Sequence, residues 1–247
     1  MTPAIAVHQV SVNYGEVQAL VDTSLLIRPG VVTALIGMNG SGKSTLLNGI
    51  IGSVPLAEGR IELFGQSPNA ARVAGRIGYL PQSENVDWSL PVSVWDVAMM
   101  GRHSHTKRPT RRPAKSDFVA VGEALERVGL STLAQRQIGQ LSGGQRKRAF
   151  MARSIAQTAD VLLLDEPFAG VDKTSEATMS ALIRDLARDG VTVVVSTHDL
   201  HALPQLADEA ILLRNRPIFQ GSVMDALKPE NLARAFGLDD LDEGGRP

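Results

Sequence analysis

Val31-Val32-Thr33-Ala34-Leu35-Ile36-Gly37-Met38-Asn39-Gly40-Ser41-Gly42-Lys43-Ser44 is the stretch on which the fold turns. Its first six residues form a near-continuous apolar run, the pattern of a short strand buried on both faces. A glycine-rich turn follows, and Ser44 to Ile51 then reads as a helix. Gly37 to Ser44 fits the phosphate-binding loop pattern and lies where that pattern needs it, between a buried strand and a helix. Glycines let the backbone turn tightly, so successive N–H groups and the helix N-terminus face the phosphates. Lys43 adds positive charge at the β and γ phosphates, and Ser44 offers a hydroxyl to Mg²⁺. The stretch therefore predicts nucleotide binding through Gly37, Asn39, Gly40, Ser41, Gly42, Lys43, Ser44 and Thr45.

Upstream, Ile5, Val7, Val10 and Val12 interleave with polar neighbours, and Val17 to Ile27 does so less strictly. That alternation predicts antiparallel strands with one wet face. Downstream, Gly59 to Phe64 and Gly75 to Leu80 read as further strands. From Asn85 to Gln157 the spacing turns helical, at Val92 to Met100 and Phe118 to Val128. A loop dense in Lys, Arg and Pro, Arg102 to Lys115, separates these two helices. After Ala159 strands and helices alternate: strand Val161 to Leu164, helix Ser175 to Arg188, strand Val191 to Ser196, helix Leu200 to Ala207, strand Ala210 to Arg214. This order predicts a parallel sheet covered by helices.

Val161-Leu162-Leu163-Leu164-Asp165-Glu166 is a second buried strand, and it delivers two carboxylates at its C-terminal end. In an α/β sheet that edge is where ligands bind. Asp165 is placed to hold Mg²⁺, and Glu166 to poise an attacking water. Lys43 and Asp165 lie too far apart in sequence for a compact nucleotide domain with short connections, so the helical stretch reads as an insertion. Inside it, Leu141-Ser142-Gly143-Gly144-Gln145 precedes a helix-like run from Arg146 to Ala156. Ser142 is placed as an N-cap, and Gly143 and Gly144 expose backbone N–H groups at a helix start. One phosphate loop already serves a nucleotide, so this second anion-binding device predicts a phosphate presented by a second subunit.

The fold class that emerges is α/β: a P-loop ATPase core with a mostly parallel sheet, an N-terminal antiparallel β-subdomain and an inserted helical subdomain. The expected division is 1–84 for the β-subdomain with the phosphate-loop part of the core, and 85–157 for the helical subdomain. Residues 158–238 complete the core, and 239–247 form a frayed acidic tail.

Composition narrows the function. The 247 residues are 43% hydrophobic and 21% charged, ordinary globular usage that excludes a disordered or fibrous chain. Lys plus Arg number 25 against 26 Asp plus Glu, which argues against a protein that coats nucleic acid. The absence of cysteine removes disulfides and thiolate metal sites. No apolar run approaches the roughly 20 residues of a spanning helix, and Met1-Thr2-Pro3-Ala4 opens no secretory signal. His103 and His105 with Lys107, Arg108, Arg111 and Arg112 read as a solvated loop, because no aromatic residues build a stacking groove there. His198 and His201, three apart, have no carboxylate pattern suited to zinc.

Taken together, the set resembles the nucleotide-binding subunit of an ATP-binding-cassette (ABC) transporter over nearly the whole chain. The matching residues are Gly37 to Ser44, Gln82 in Tyr79-Leu80-Pro81-Gln82, Leu141 to Gln145, Asp165-Glu166-Pro167, Asp172, and His198 after Ser196. The resemblance implies a head-to-tail dimer of two copies closing on two ATP molecules. In it Tyr14 would stack on adenine, and Gln82 would reach Mg²⁺ and water. Glu166 would be the catalytic base, Asp172 would lie at the dimer seam, and His198 would pin the γ phosphate. Ala169-Gly170-Val171-Asp172 departs from the commoner Ser-Ala-Leu-Asp, and Met38 replaces a frequent Pro at a position that contributes backbone.

A finer resemblance bears on cargo. Asn85-Val86-Asp87-Trp88, Pro91-Val92-Ser93-Val94, Asp96 to Arg102 and Glu166 to Asp172 look like the ATPases of manganese, zinc and iron importers. It implies transmembrane permease partners, an extracytoplasmic substrate-binding protein and a peripheral place on the cytoplasmic face of the membrane. The alternatives are another cargo such as a metal chelate, or a soluble cassette ATPase acting on DNA or the ribosome. The latter usually carries coiled-coil arms or a second cassette, and neither is present. A P-loop GTPase or kinase is disfavoured by Leu141 to Gln145 and by the missing Asn-Lys-x-Asp motif.

Overall fold

The computed structural model describes residues 2–82, 90–103 and 112–237. Its centre is β3 (Val32–Ile36), every residue of which is buried. Around it runs a six-stranded sheet in the order β5 (Ile77–Leu80), β6 (Val161–Asp165), β7 (Thr192–Thr197), β3, β8 (Glu209–Leu213), β9 (Pro217–Ser222). The first five strands are parallel and β9 closes the edge antiparallel to β8. A second, antiparallel sheet has the order β2 (Val17–Ile27), β1 (Ile5–Tyr14), β4 (Glu58–Leu63).

The continuous apolar runs exist because each central strand feeds two cores. Successive side chains point to opposite faces. Val32, Ala34, Ile36, Leu162, Leu164, Val193 and Val195 join one apolar cluster, shared with the helices of the insertion. Leu35, Val161, Leu163 and Val194 join the other, shared with the antiparallel sheet. Helix α1 (Lys43–Ile51) contributes Leu46, Leu47 and Ile50 to this second cluster. The phosphate loop is thus fixed at both ends, by β3 before it and by a buried helix after it.

Helix α2 (Pro68–Val73) lies between β4 and β5. The insertion holds α3 (Val94–Met100), α4 (Lys115–Arg127) and α5 (Gly143–Ala156). Ser93 starts α3 with a reciprocal cap: its Oγ accepts from the Asp96 N–H at 3.1 Å, and the Ser93 N–H donates to Asp96 Oδ2 at 3.0 Å. The far end of α5 is bonded to the sheet, Arg153 Nη2 donating to Tyr79 O at 3.1 Å and Gln157 Nε2 to Ile77 O at 2.7 Å. Helix α6 (Lys173–Arg188) then connects β6 to β7. Among the described residues, no helix is long and apolar enough to cross a membrane.

Several elements differ from the sequence expectation. The helix expected over 200–207 is only α7 (Leu203–Leu206). Side chains hold the preceding residues in turns, the Asp199 N–H donating to Thr197 Oγ1 and the His201 N–H to Asp199 Oδ1. His198 and His201 therefore do not share a helix face. Helices α2, α8 (Val223–Ala226) and α9 (Pro229–Phe236) and strand β9 were not expected. The short ones, α2 and α8, are set by their caps, Ser67 and Ser222, more than by apolar spacing. Strand β9 has no fully buried residue to mark it. Asn85 to Trp88, His105, Lys107, Arg108, Arg111 and the acidic tail lie outside the described residues.

A buried ion pair braces the insertion. Arg102 Nε donates to Asp117 Oδ1 at 2.8 Å and Arg102 Nη1 to Ala156 O at 2.7 Å, so α3, α4 and α5 meet on one guanidinium. Asp117 also accepts from the Ala114 N–H at the start of α4. Asp117→Ala leaves Arg102 buried without its counter-ion and should destabilise the fold by about 3–5 kcal/mol. A urea midpoint shift, compared with that of Glu62→Ala at an exposed pair, measures it; equal small shifts would contradict the bracing role.

Candidate active site

The parallel register decides which residues meet. Ile36 pairs with Thr197, and Asp165 with Ser196, so the ends of β3, β6 and β7 finish on one edge. The phosphate loop leaves β3 at Gly37, where a Cβ would stand 2.3 Å from Leu213 O and 2.4 Å from Ser41 Oγ. Only glycine fits there. Gly42 has φ +95, and its Cβ would stand 2.6 Å from Ala19 O. Backbone strain and crowding thus exclude a side chain at Gly42, the residue just before α1.

What remains suits a phosphate. Helix α1 has no side-chain cap and no acidic residue in its first turn, which leaves its N–H groups facing outward. Ser41 Oγ is buried without a hydrogen-bond partner. Lys43 is 6% exposed, and its Nζ donates to Gly37 O at 2.7 Å and Met38 O at 3.1 Å. Burial holds its pKa below the usual lysine value, opposed by the charges of Glu166 and Asp165.

Both carboxylates are buried beside it. Asp165 Oδ1 accepts from Ser196 Oγ at 2.5 Å, and that same Oγ accepts from the Glu166 N–H at 2.9 Å. Glu166 has φ +47, uncommon for a non-glycine residue and typical of strained functional positions. Its Oε1 lies 4.0 Å from Lys43 Nζ, and its Oε2 lies 2.9 Å from His198 Nδ1. The His198 ring is 68% exposed, so it stands between the buried carboxylate and solvent. Tyr79 lies behind them, its phenol pushed up to about 12 by burial and by the charge of Asp165. Hard oxygen donors at Ser44, Asp165 and Gln82 are of the kind that Mg²⁺ takes.

A cleft of about 400 Å³ joins Tyr14, Asn39, Gly40, Gly42, Lys43, Ser44, Thr45, Gln82 and Glu166. Tyr14 is half exposed at its rim. Ser142 to Gln145 and Asp172 do not line this cleft. They form a separate group at the starts of α5 and α6. Ser142 Oγ accepts from the Gln145 N–H at 3.3 Å, while the Ser142 N–H donates to Gln145 Oε1 at 3.0 Å. Asp172 caps α6, accepting from the Ser175 N–H at 2.9 Å and Ser175 Oγ at 2.8 Å, bonds that hold its carboxyl below the usual range. A Cβ on Gly144 would stand 2.9 Å from Ser175 Oγ, so the two helix starts abut.

A family model described as ABC transporter matches residues 20–169. The chain belongs to the ABC transporter family. It binds and hydrolyses ATP. A Synechocystis protein named manganese transport system ATP-binding protein MntA is 44% identical over 234 residues, 94% of this chain and 90% of that one. The zinc transport system ATP-binding protein TroB of Treponema pallidum is 39% identical, over 95% of this chain and 87% of its own length. A solved structure of a metal-chelate type ABC transporter in an inward-facing conformation superposes with TM-score 0.83 at 30% identity, covering 96% of this chain and 90% of that one.

Among the described residues, several of this candidate site escape sequence reasoning. Ser196 is visible only once the β6–β7 register is known. Lys147 Nζ reaches from α5 to Glu166 O at 3.0 Å, across the insertion boundary. Asn215, after β8, lines the cleft. Ser196→Ala removes both bonds that seat Asp165 and Glu166 and should lower ATP turnover by about 10-fold or more; a steady-state rate within error of the parent would contradict it. In a Tyr14→Phe background only Tyr79 remains of the two tyrosines. Its phenolate absorbance should rise near pH 12, and because the folded pKa exceeds the unfolded one, stability is lost as pH climbs above about 10. A midpoint at the ordinary tyrosine value would contradict its burial beside Asp165.

Proposed function

We propose that this chain is the ATP-hydrolysing subunit of an importer, driving a separate membrane permease for a divalent transition metal: zinc, manganese or iron. The observation that carries the cargo is the likeness, over more than nine-tenths of the chain, to relatives named for manganese and zinc transport. The cassette itself never touches the metal ion. It works from the cytoplasmic face as a peripheral subunit, and an extracytoplasmic substrate-binding protein feeds the permease.

Two copies close head to tail on two ATP molecules. The separation of the cleft from the Ser142 group supports this reading, because each group alone offers only half of a phosphate cage. Tyr14 stacks on the base, while Gly37, Asn39 to Ser44 and Thr45 hold the phosphates. Ser142, Gly143, Gly144 and Gln145 meet the nucleotide of the partner copy, and Asp172 lies at the seam. Glu166 accepts a proton from the attacking water, and His198, at 2.9 Å, orients that carboxylate and faces the terminal phosphate. Mg²⁺, held by Ser44, Gln82 and Asp165, would supply charge neutralisation on the transferred phosphoryl group. Buried, preorganised charge makes positioning the main catalytic term.

The metal-chelate reading is favoured by the structural likeness to a metal-chelate type transporter and by a Yersinia pestis relative named for chelated iron transport, 42% identical over 95% of this chain. It ranks second because more of the similar relatives are named for manganese or zinc transport.

Glu166→Gln should bind ATP, hydrolyse it very slowly and accumulate as an ATP-bound dimer. In cells carrying only this variant and grown with metals scarce, whole-cell elemental analysis should show a selective fall in zinc, manganese or iron. Unchanged metals, with redundant uptake removed, would overturn the cargo while leaving the ATPase intact. Normal turnover would remove Glu166 as the base.

A further inference from the structure

Tyr14 and the phosphate loop belong to different sheets, so something must set the distance between them. Tyr14 ends β1 and pairs with Val17 at the tip of the β1–β2 hairpin. That hairpin is not regular. Asn13 opposes Gln18 and Val12 opposes Leu20, so Ala19 is an extra residue without a partner on β1. Carbonyls at such a bulge need other donors.

Asn215, in the turn between β8 and β9, supplies them. Its Nδ2 donates to Gln18 O and to Ala19 O, both at 3.2 Å. Its main-chain N–H donates to Ser41 O in the phosphate loop at 2.8 Å, and its carbonyl accepts from the Val21 N–H at 2.8 Å. One residue therefore bonds the loop with its backbone and the hairpin with both side-chain hydrogens. Its φ of +57 is a conformation that glycine and asparagine adopt most readily. Of those two, only asparagine has an amide to reach the bulge.

We infer that Asn215 is a positioning residue for the base end of ATP, fixing the Tyr14 hairpin against the phosphate loop. The inference rests on Tyr14 being the base-stacking residue. A nucleotide ties its base to its phosphates covalently, so stacking adds to affinity only when the two protein surfaces are held at a matching separation. A hairpin that rocks on its bulge loses that preorganisation. Phosphate binding alone, which uses α1, Lys43 and the loop, does not depend on where the hairpin sits.

The test compares two ligands on the full chain: MgATP, and inorganic tripolyphosphate with Mg²⁺, each measured by calorimetric titration. Asn215→Gly keeps the left-handed backbone and both main-chain bonds but deletes the two amide bonds. It should weaken ATP by about tenfold, as expected for two neutral hydrogen bonds, and leave tripolyphosphate unchanged within error. Asn215→Asp, of the same size, sets a carboxylate against two carbonyls; its charge in the cleft lowers the affinity for both ligands, and ATP should fall by more than tripolyphosphate. It decides the matter if the glycine variant fails to fold. Tyr14→Ala serves as the reference and should lose ATP but not tripolyphosphate. Equal loss of both ligands in either Asn215 variant would mean general damage to the loop and overturn the inference. Parental ATP affinity in Asn215→Gly, with Tyr14→Ala weakened, would overturn it while sparing the stacking role. Parental affinity in Tyr14→Ala would overturn the stacking role, and the inference with it.

Discussion

The crowding at Gly37 is the constraint from which the site follows. A single added methyl there would overlap both the Leu213 carbonyl and Ser41. The loop can lie this close to β8 because β3 is central, paired in parallel with β7 on one side and β8 on the other. Its neighbours hold it from both faces, through Val32, Ala34 and Ile36 in one core and Leu35 in the other. The packing of the sheet sets where the loop lies, and its glycines allow the N–H groups of α1 to face outward there. The geometry of the candidate site is in this sense a property of the core.

A second dependence runs along the sheet edge. Ser196 joins Asp165 to Glu166 through a hydroxyl that donates to one and accepts from the other. Glu166 is held in a left-handed backbone conformation, with Lys147 of α5 bonded to its carbonyl. Any rotation of the insertion relative to the sheet would therefore act directly on the main chain of Glu166. The starts of α5 and α6 meanwhile form a tight polar group of their own, Ser142 with Gln145 and Asp172 with Ser175, away from the cleft. In the proposed head-to-tail dimer, one chain thus carries two incomplete halves of a nucleotide site.

Much of this was legible in the residues. The apolar run before Gly37 and the acidic pair after Leu164 marked buried strands, because each strand must fill two cores at once. Ser142 announced its helix as an N-cap hydroxyl followed by two glycines. What was not legible depends on pairing across the chain. Nothing near Ser196 says that it sits opposite Asp165, and nothing in Arg214-Asn215-Arg216 says that the turn reaches Gln18 and Ala19. The short helices α2 and α8 take their form from single caps and bury too little to leave a periodic trace. The contraction of the expected 200–207 helix follows from Thr197 and Asp199, whose side chains compete with helical hydrogen bonds.

The central claim is that a working site needs the cleft of one copy and the Ser142 group of another. Mixing two inactive chains tests it most directly, Lys43→Ala with Ser142→Arg, the first lacking a competent cleft and the second a competent partner surface. A mixed dimer contains one intact site, made from the cleft of the second chain and the Ser142 group of the first. The account predicts that the mixture hydrolyses ATP where each chain alone does not. An inactive mixture, with mixed dimers shown to form, would contradict it.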